Sequence, residues 1–388
     1  MATKELFSKF KKNFFRLPSI ALFISGVSMA VMAGSLYFTH KLSAQVQEVK
    51  QEEYADEPEL SVGEEQAGEF SPFDVAEDGK YSVVFIGYGG AGHQGGSLAD
   101  SIILFSADPK EKTAKLISIP RDLWVALPTD YNNQTYNKIN AAFAVGQDDL
   151  TYANKRPEFR GKNGGANLLK YAVYSVAGIQ VDNFIAVDFS GFERAIDNLG
   201  GIDVEISRTF DDYFYPVKGL ENETCGFSPE QIAEFHEQFT GFNLEKQFTC
   251  RYEHIHFDKG RVGMDGADAL KFVRSRHSAS YGGDFARSER QFAVLSAIAD
   301  KIFSAQIIQN GGNALSDLTS LVSSDIANAD IKKLFDTLGG SSDYKLQEIH
   351  LSTDNVLNFA TGPAGQFILV SRDGVGKWEG VQKYVADF

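Results

Sequence analysis

Between Arg16 and Lys41 the chain carries no charged side chain, and Ile20 to Phe38 is a nearly continuous apolar run of 19 residues. Coiled as a helix, a run of that length crosses the ~30 Å hydrocarbon layer with every backbone polar group satisfied internally. A cleaved signal peptide is the alternative, with an apolar region of ~7–15 residues before a small-residue cleavage site. The run here is longer and ends in Tyr37-Phe38-Thr39-His40, a poor site for cleavage. Lys4, Lys9, Lys11, Lys12 and Arg16 precede it, and basic residues stay on the cytoplasmic side. The expectation is a single-pass plasma-membrane anchor, N-terminus cytoplasmic, with the bulk of the chain outside the cell.

Charge sorts along the chain accordingly. Residues 1–16 carry a net +4, residues 17–40 none, residues 41–80 a net −9 and residues 81–388 a net −10. A cytoplasmic arm (1–16), a transmembrane helix (17–40) and an acidic, self-repelling extracytoplasmic linker (41–80) thus lead to a folded domain at 81–388. The formal charge of −15 argues against a nucleic-acid partner. Cys225 and Cys250 are the only cysteines, too few for a disulfide scaffold or a zinc knuckle. They sit in 210–262, an aromatic and polar stretch without clear periodicity that reads as an insertion. In an oxidising compartment they are expected to pair, two buried free thiols being the alternative.

Within the domain, 81–87 (YSVVFIG), 101–107 (SIILFSA) and 113–119 (TAKLISI) read as buried strands. The short Asp108–Lys112 link makes the last two an antiparallel hairpin. Helical patterns fall at 166–177, 191–199, 266–276 and 285–304, with strands at 183–188 and 202–206 and a final strand–helix segment from Lys345 to Phe388. Interleaved helices and a mixed sheet give an α/β layer fold.

Gly87-Tyr88-Gly89-Gly90-Ala91-Gly92 fits the dinucleotide G-x-G-x-x-G pattern directly after a strand. Only about eight residues then remain before the next strand, and a parallel crossover needs a dozen or more. The segment reads as a glycine loop whose N–H groups suit a phosphate. A second feature is the arginine concentration at 271–291, with Lys271, Arg274, Arg276, Arg287 and Arg290 against Asp284 and Glu289. Arg287 and Gln291 lie at i,i+4 and continue a stripe of Leu295, Ile298 and Ile302, so one helix presents a polar tip on a core-facing face. Guanidinium forks suit phosphate, although a solvated basic surface is the commoner fate of a charge run. Thirdly, Asp100 precedes one strand of the hairpin and Arg121-Asp122 follow the other, which places Asp100 and Arg121 at one end of the sheet. An ion pair is the simple reading; a carboxylate with arginines also suits a magnesium-bound pyrophosphate.

The segments DSIILFSADPKEKTAKLISIPRDLWV (100–125), NKINAAFAVG (137–146), VDNFIAVDFSGFERAIDNLGGIDVEI (181–206) and MDGADALKFVRSRHS…GGDFARSERQFAVL (264–295) resemble, in order, the LytR–CpsA–Psr family of bacterial envelope proteins. The resemblance implies a three-layer α-β-α-like domain with a central mixed sheet and a hydrophobic pocket for a polyprenyl chain. It implies an Mg2+-dependent enzyme that moves a glycopolymer from a polyprenyl-pyrophosphate carrier to peptidoglycan. Asp100 would be a magnesium ligand, and Arg121, Arg274 and Arg276 pyrophosphate clamps. Asp284, Arg287 and Gln291 would complete the site, with Asp122 and Lys138 binding substrate at its rim. Asp100 or Asp284 are the candidates for a general base. The sequence departs from the family pattern at Gly89, where a carboxylate is common, and at Leu98, where an arginine is; His93 lies between them. Two other functions fit the same residues, a polyprenyl-pyrophosphate hydrolase and a non-catalytic lipid-glycan binding protein.

Overall fold

The computed structural model describes residues 79–93, 95–303, 321–326 and 344–388. The arm, the expected transmembrane helix and nearly all of the linker lie outside them. Among the described residues no helix is long and apolar enough to cross a membrane. The described residues fall into two compact units, one of residues up to Asp188 together with 321–326 and 344–388, the other of residues 189–303.

The first unit opens with β1 (Tyr81–Tyr88), β2 (Ala99–Asp108) and β3 (Thr113–Ser118). All three are rich in Val, Ile, Leu and Phe, as strands inside a sheet must be. They form a meander, β1 antiparallel to β2 and β2 to β3. At the β2–β3 turn the Asp108 carboxylate accepts the N–H groups of Lys110 and Glu111, both at 3.0 Å, as a short Asx turn requires. A small ribbon follows, β4 (Trp124–Leu127) against β5 (Thr135–Lys138). Helices α1 (Ala141–Gln147) and α2 (Gly164–Ala177) lead to β6 (Asn183–Asp188), which lies parallel to β1.

The second unit comprises α3 (Phe189–Asn198), β7 (Ile202–Ile206), β8 (Phe210–Pro216), α4 (Pro229–Gln238), α5 (Phe242–Glu245), β9 (Tyr252–Phe257), β10 (Gly260–Met264), α6 (Gly266–Arg274) and α7 (Gly283–Phe303). β7 pairs with β10 and β8 with β9. The stretch 210–262, without visible periodicity in sequence, therefore holds one antiparallel ribbon, β8–β9, with α4 and α5 between its strands, and the start of β10, whose partner β7 precedes the stretch. Ser228 closes a capping box with Gln231 at the start of α4. A disulfide joins Cys225 and Cys250.

The chain then returns to the first unit with β11 (Ser323–Ser324), β12 (Lys345–His350), β13 (Leu357–Thr361), β14 (Phe367–Ser371) and α8 (Glu379–Ala386). The segment from Lys345 is thus three strands and a helix, richer than the strand–helix read from sequence. The central sheet has the order β11-β6-β1-β2-β3-β12 and is mixed, with β6 parallel to β1 and β12 parallel to β3. Residues such as Val84, Ile86, Leu104 and Ile117 on this sheet share one buried cluster with Leu168, Leu169 and Val176 of α2 and Val381 of α8. Alternation along each strand sends these side chains to one face, and the amphipathic helices cover it.

Candidate functional site

The β2–β3 register pairs Ile103 with Ser118 and Leu104 with Ile117; continued three residues past the strand end, it sets Asp100 opposite Arg121. Their side chains form an ion pair. Arg121 Nε also lies 3.7 Å from Asp122 Oδ2, and Lys138 Nζ donates to Asp122 Oδ1 at 2.6 Å. The backbone locks this order in place, since Asn140 N–H donates to Arg121 C=O and Ile139 N–H to Leu123 C=O. Asp100, Arg121, Asp122 and Lys138, all named from sequence, thus stand as a partly exposed row of alternating charge at one edge of the first unit. Partly exposed ion pairs contribute little to stability, so folding alone does not account for the row.

The glycine loop between β1 and β2 joins antiparallel strands, which removes the crossover a dinucleotide fingerprint needs. Gly90, at φ +80°, donates its N–H to Gly96 C=O at 2.8 Å. A Cβ at Gly90 would meet Asp188 Cβ at 2.8 Å, and one at Gly96 would meet Gly90 C=O at 2.1 Å. The loop thus folds tightly on itself, and one N–H expected to face phosphate is engaged internally. Asp188, which sequence reasoning did not single out, flanks this loop. The parallel β1–β6 register sets it level with Tyr88, whose phenol is held above its ordinary range by burial and by the Asp188 charge.

In the second unit the arginines fall at the end of α6 (Arg274), in the segment after it (Arg276) and on α7 (Arg287 and Arg290). Arg276 Nη2 lies 2.6 Å and Arg287 Nη2 3.2 Å from the same Asp284 Oδ1. Gln291 follows Arg287 four residues later on α7. Arg274 lies apart from that pair. Its Nη1 donates to Tyr215 Oη at 3.3 Å and its guanidinium sits 4.3 Å from the Phe189 ring centre, a cation–π distance. Burial raises the Tyr215 phenol pKa, partly offset by Arg274.

Two buried charges that sequence reasoning missed shape this segment. Asp212, 1% exposed, accepts from Ser275 Oγ at 2.7 Å, Arg276 N at 3.1 Å and His277 N at 3.0 Å. Arg290, also 1% exposed, donates to the carbonyls of Phe272, Tyr281 and Ser275. Burial pulls its pKa down to about 10, and it remains charged at neutral pH. From sequence Arg290 was one more member of a basic cluster; in the fold it is a strut. The apolar stripe is broader than the sequence suggests, with Ile298 buried as expected. The buried side of α7 is Phe292, Val294, Ala297 and Ile298, whereas Leu295 is half-buried and the Ile302 side chain lies outside those described. Phe242 of the disulfide-closed insertion stacks on the His277 ring at 3.8 Å, where burial lowers the imidazole pKa.

The sequence-predicted residues therefore gather in two groups, Asp100–Arg121–Asp122–Lys138 in one unit and Arg276–Asp284–Arg287, with Arg274 and Gln291 on the flanking elements, in the other. The sequence matches the LytR_cpsA_psr family over residues 36–366. The chain is a member of the LytR–CpsA–Psr family. Among relatives of this LytR–CpsA–Psr protein, the polyisoprenyl-teichoic acid–peptidoglycan teichoic acid transferase TagV of Bacillus subtilis (strain 168) is 31% identical over 231 residues, 59% of this chain and 45% of that protein. The transferase TagT of the same organism is 27% identical over 246 residues, 62% of this chain and 58% of that protein. The chain spans about half the length of the curated relatives it matches. Crystal structures of Bacillus subtilis TagV (TM-score 0.52, 24% identity, 79% of this chain and 96% of that one) and of protein gbs0355 from Streptococcus agalactiae (0.53, 19%, 79% and 87%) share the fold. The LytR–CpsA–Psr fold is thus a mixed α/β fold built on a central mixed sheet, as the sequence led one to expect.

Proposed function

We propose that this protein is a membrane-anchored transferase that moves a glycopolymer from a polyprenyl-pyrophosphate carrier to peptidoglycan on the outer side of the plasma membrane. The anchor is the apolar run at 17–40, and the names of the relatives support the substrate class. The observation that carries the reading is the segment around Arg276. Its backbone is held by a buried carboxylate and a buried guanidinium, while Arg276 and Arg287 share one exposed carboxylate, Asp284. An arriving pyrophosphate would take the place of Asp284 between two guanidinium groups that are already positioned.

In the reaction a saccharide hydroxyl of peptidoglycan attacks the phosphorus that bears the glycan. A new P–O bond forms to the acceptor, the bond to the bridging oxygen breaks and polyprenyl phosphate leaves. The hydroxyl proton passes to a carboxylate, with Asp100 and Asp284 the candidates. Charge spreads over phosphoryl oxygens in the transition state, so positioned cations supply most of the catalysis. In the second unit Arg274, Arg276 and Arg287 would hold such oxygens and Gln291 a neighbouring hydroxyl; in the first unit Arg121 is the phosphate-binding candidate and Asp122 and Lys138 the hydroxyl-binding ones.

Mg2+ is commonly held by one or two carboxylates, its remaining positions filled by water and substrate phosphates. Asp100 fits on those terms as a partly exposed carboxylate that can turn from Arg121 to a cation; with pyrophosphate bound, the ion would neutralise developing charge. Gly89 and Leu98 offer it no side-chain oxygen.

The test is transfer from a lipid-linked glycopolymer to peptidoglycan fragments. Arg276→Ala should lower the rate about 10²-fold, the effect of removing one preorganised charge stabiliser. A wild-type rate in that variant refutes the role. Release of free phosphorylated glycan, with or without acceptor, would assign a hydrolase; carrier binding that survives chelation, without turnover, would assign a binding protein.

A further inference from the structure

The β13–β14 hairpin of the first unit exposes two aromatic rings. Phe359 is 66% and Phe367 48% exposed; their centres lie 5.4 Å apart and, with Ala360, Thr361 and Gly365, they line a shallow recess. A cluster of exposed aromatics that joins no core marks a surface that meets something.

Its position says what. Leu369 N–H donates to Asp122 C=O at 2.9 Å, and a parallel bridge pairs Leu369 with Leu123. Phe367 lies two residues before Leu369 on β14, and Arg121 two residues before Leu123 in the turn that precedes β4. Lys138 Nζ sits 6.0 Å from the Phe367 ring centre while donating to Asp122. Across the β4–β5 ribbon Lys138 is paired with Trp124, which stacks with the exposed Tyr136. Aromatic rings therefore stand beside the Lys138 end of the row, Phe367 from the β13–β14 hairpin and Trp124 from the β4–β5 ribbon.

We infer that this surface is a saccharide subsite for the acceptor glycan strand, a reading that rests on the proposed transferase function. A pyranose has a face of C–H bonds and a rim of hydroxyls. Its C–H face meets the negative π-faces of Phe359 and Phe367, and its hydroxyls meet the Asp122 carboxylate, the Lys138 ammonium and the Thr361 hydroxyl. An acyl chain is a poor occupant, because it would lie against four alternating charges and desolvate them without replacement hydrogen bonds.

The experiment uses the full chain in detergent and the double variant F359A/F367A. Both rings are exposed, so the melting temperature should stay at the wild-type value. The Michaelis constant for peptidoglycan fragments should rise about tenfold, the loss expected from two aromatic contacts, with the constant for the lipid-linked donor unchanged. F359Y/F367Y, which keeps the rings, should restore it. A rise confined to the donor constant, or no rise at all, overturns the inference. Binding of N-acetylated chitotetraose, followed by tryptophan fluorescence, separates this claim from the transferase reading. If the wild type binds and the double variant does not, the subsite stands even should no transfer be detected. Equal binding by the two, or loss in the double variant of phospholipid-vesicle binding instead, overturns it.

Discussion

Asp212 accepts the backbone N–H of Arg276 at 3.1 Å while lying almost wholly out of solvent. A partly exposed guanidinium thus owes its placement to a carboxylate in the interior of its unit. The same carboxylate takes the Ser275 hydroxyl and the His277 N–H, so a turn with no regular backbone pairing is held at three consecutive residues. Placement by buried groups is what a site needs if its charges are not to reorganise during reaction.

Asp212→Asn should separate placement from chemistry. Ser275 Oγ and the N–H groups of Arg276 and His277 all donate to Oδ2, while Phe214 N–H donates to Oδ1 at 2.9 Å. The amide keeps only one acceptor oxygen, so its NH2 must face at least one of these four donors and leave it unpaired. A loss on the order of 1–3 kcal/mol in unfolding free energy follows, read from urea denaturation. Arg276→Ala, which removes a side chain at the surface, should leave the urea midpoint nearly unchanged. If the two variants had equal midpoints, Asp212 would not be holding the turn.

Arg290→Met tests the second hold. Methionine replaces the guanidinium stem but strands the carbonyls of Phe272, Ser275 and Tyr281 in the interior. Destabilisation of at least about 3 kcal/mol is expected from several unmet acceptors, again by urea denaturation. Arg290→Lys should recover only part of it, since a compact ammonium cannot reproduce the planar fork. A fully stable Met variant would show that these bonds do not carry the fold.

The contrast between these two residues and Asp100–Arg121 shows what a sequence discloses. The hairpin is written in two apolar runs and a turn, and antiparallel register alone then brings Asp100 opposite Arg121. Asp212 lies in FDDYFYP, where a register shift after Asp212 breaks the alternation that would have marked it as buried. Arg290 sits three residues from Arg287, and its complete burial depends on carbonyls contributed by a different helix and loop. Asp188 was hidden for a third reason, because its proximity to the glycine loop arises from parallel pairing of distant strands.

The Cys225–Cys250 bridge closes a loop of sequence separation 25 in the second unit. By the chain-entropy relation it removes about 3 kcal/mol of freedom from the unfolded chain. Reductant should therefore lower the urea midpoint of the wild type and have no effect on Cys225→Ser/Cys250→Ser, whose midpoint is already low. Since Phe242 within that loop stacks on His277, hydrogen exchange at residues 275–277 should quicken in the variant. Unchanged exchange there would mean that the insertion and the arginine segment are not coupled.

His350 closes β12 at the edge of the central sheet, where burial drives its pKa from the ordinary 6.5 down to about 4. The folded state therefore binds this proton less readily than the unfolded chain. Below pH 6.5 the unfolded state is protonated first and gains stability relative to the fold. The unfolding free energy thus falls as pH drops from about 6.5 to about 4, and rises again with pH over the same window. The full effect of this one group is about 3 kcal/mol. Urea midpoints at pH 7 and pH 4.5 should differ more for the wild type than for His350→Leu, which has nothing to titrate there. Equal pH dependence in the two proteins would show that the imidazole titrates alike in the folded and unfolded chains.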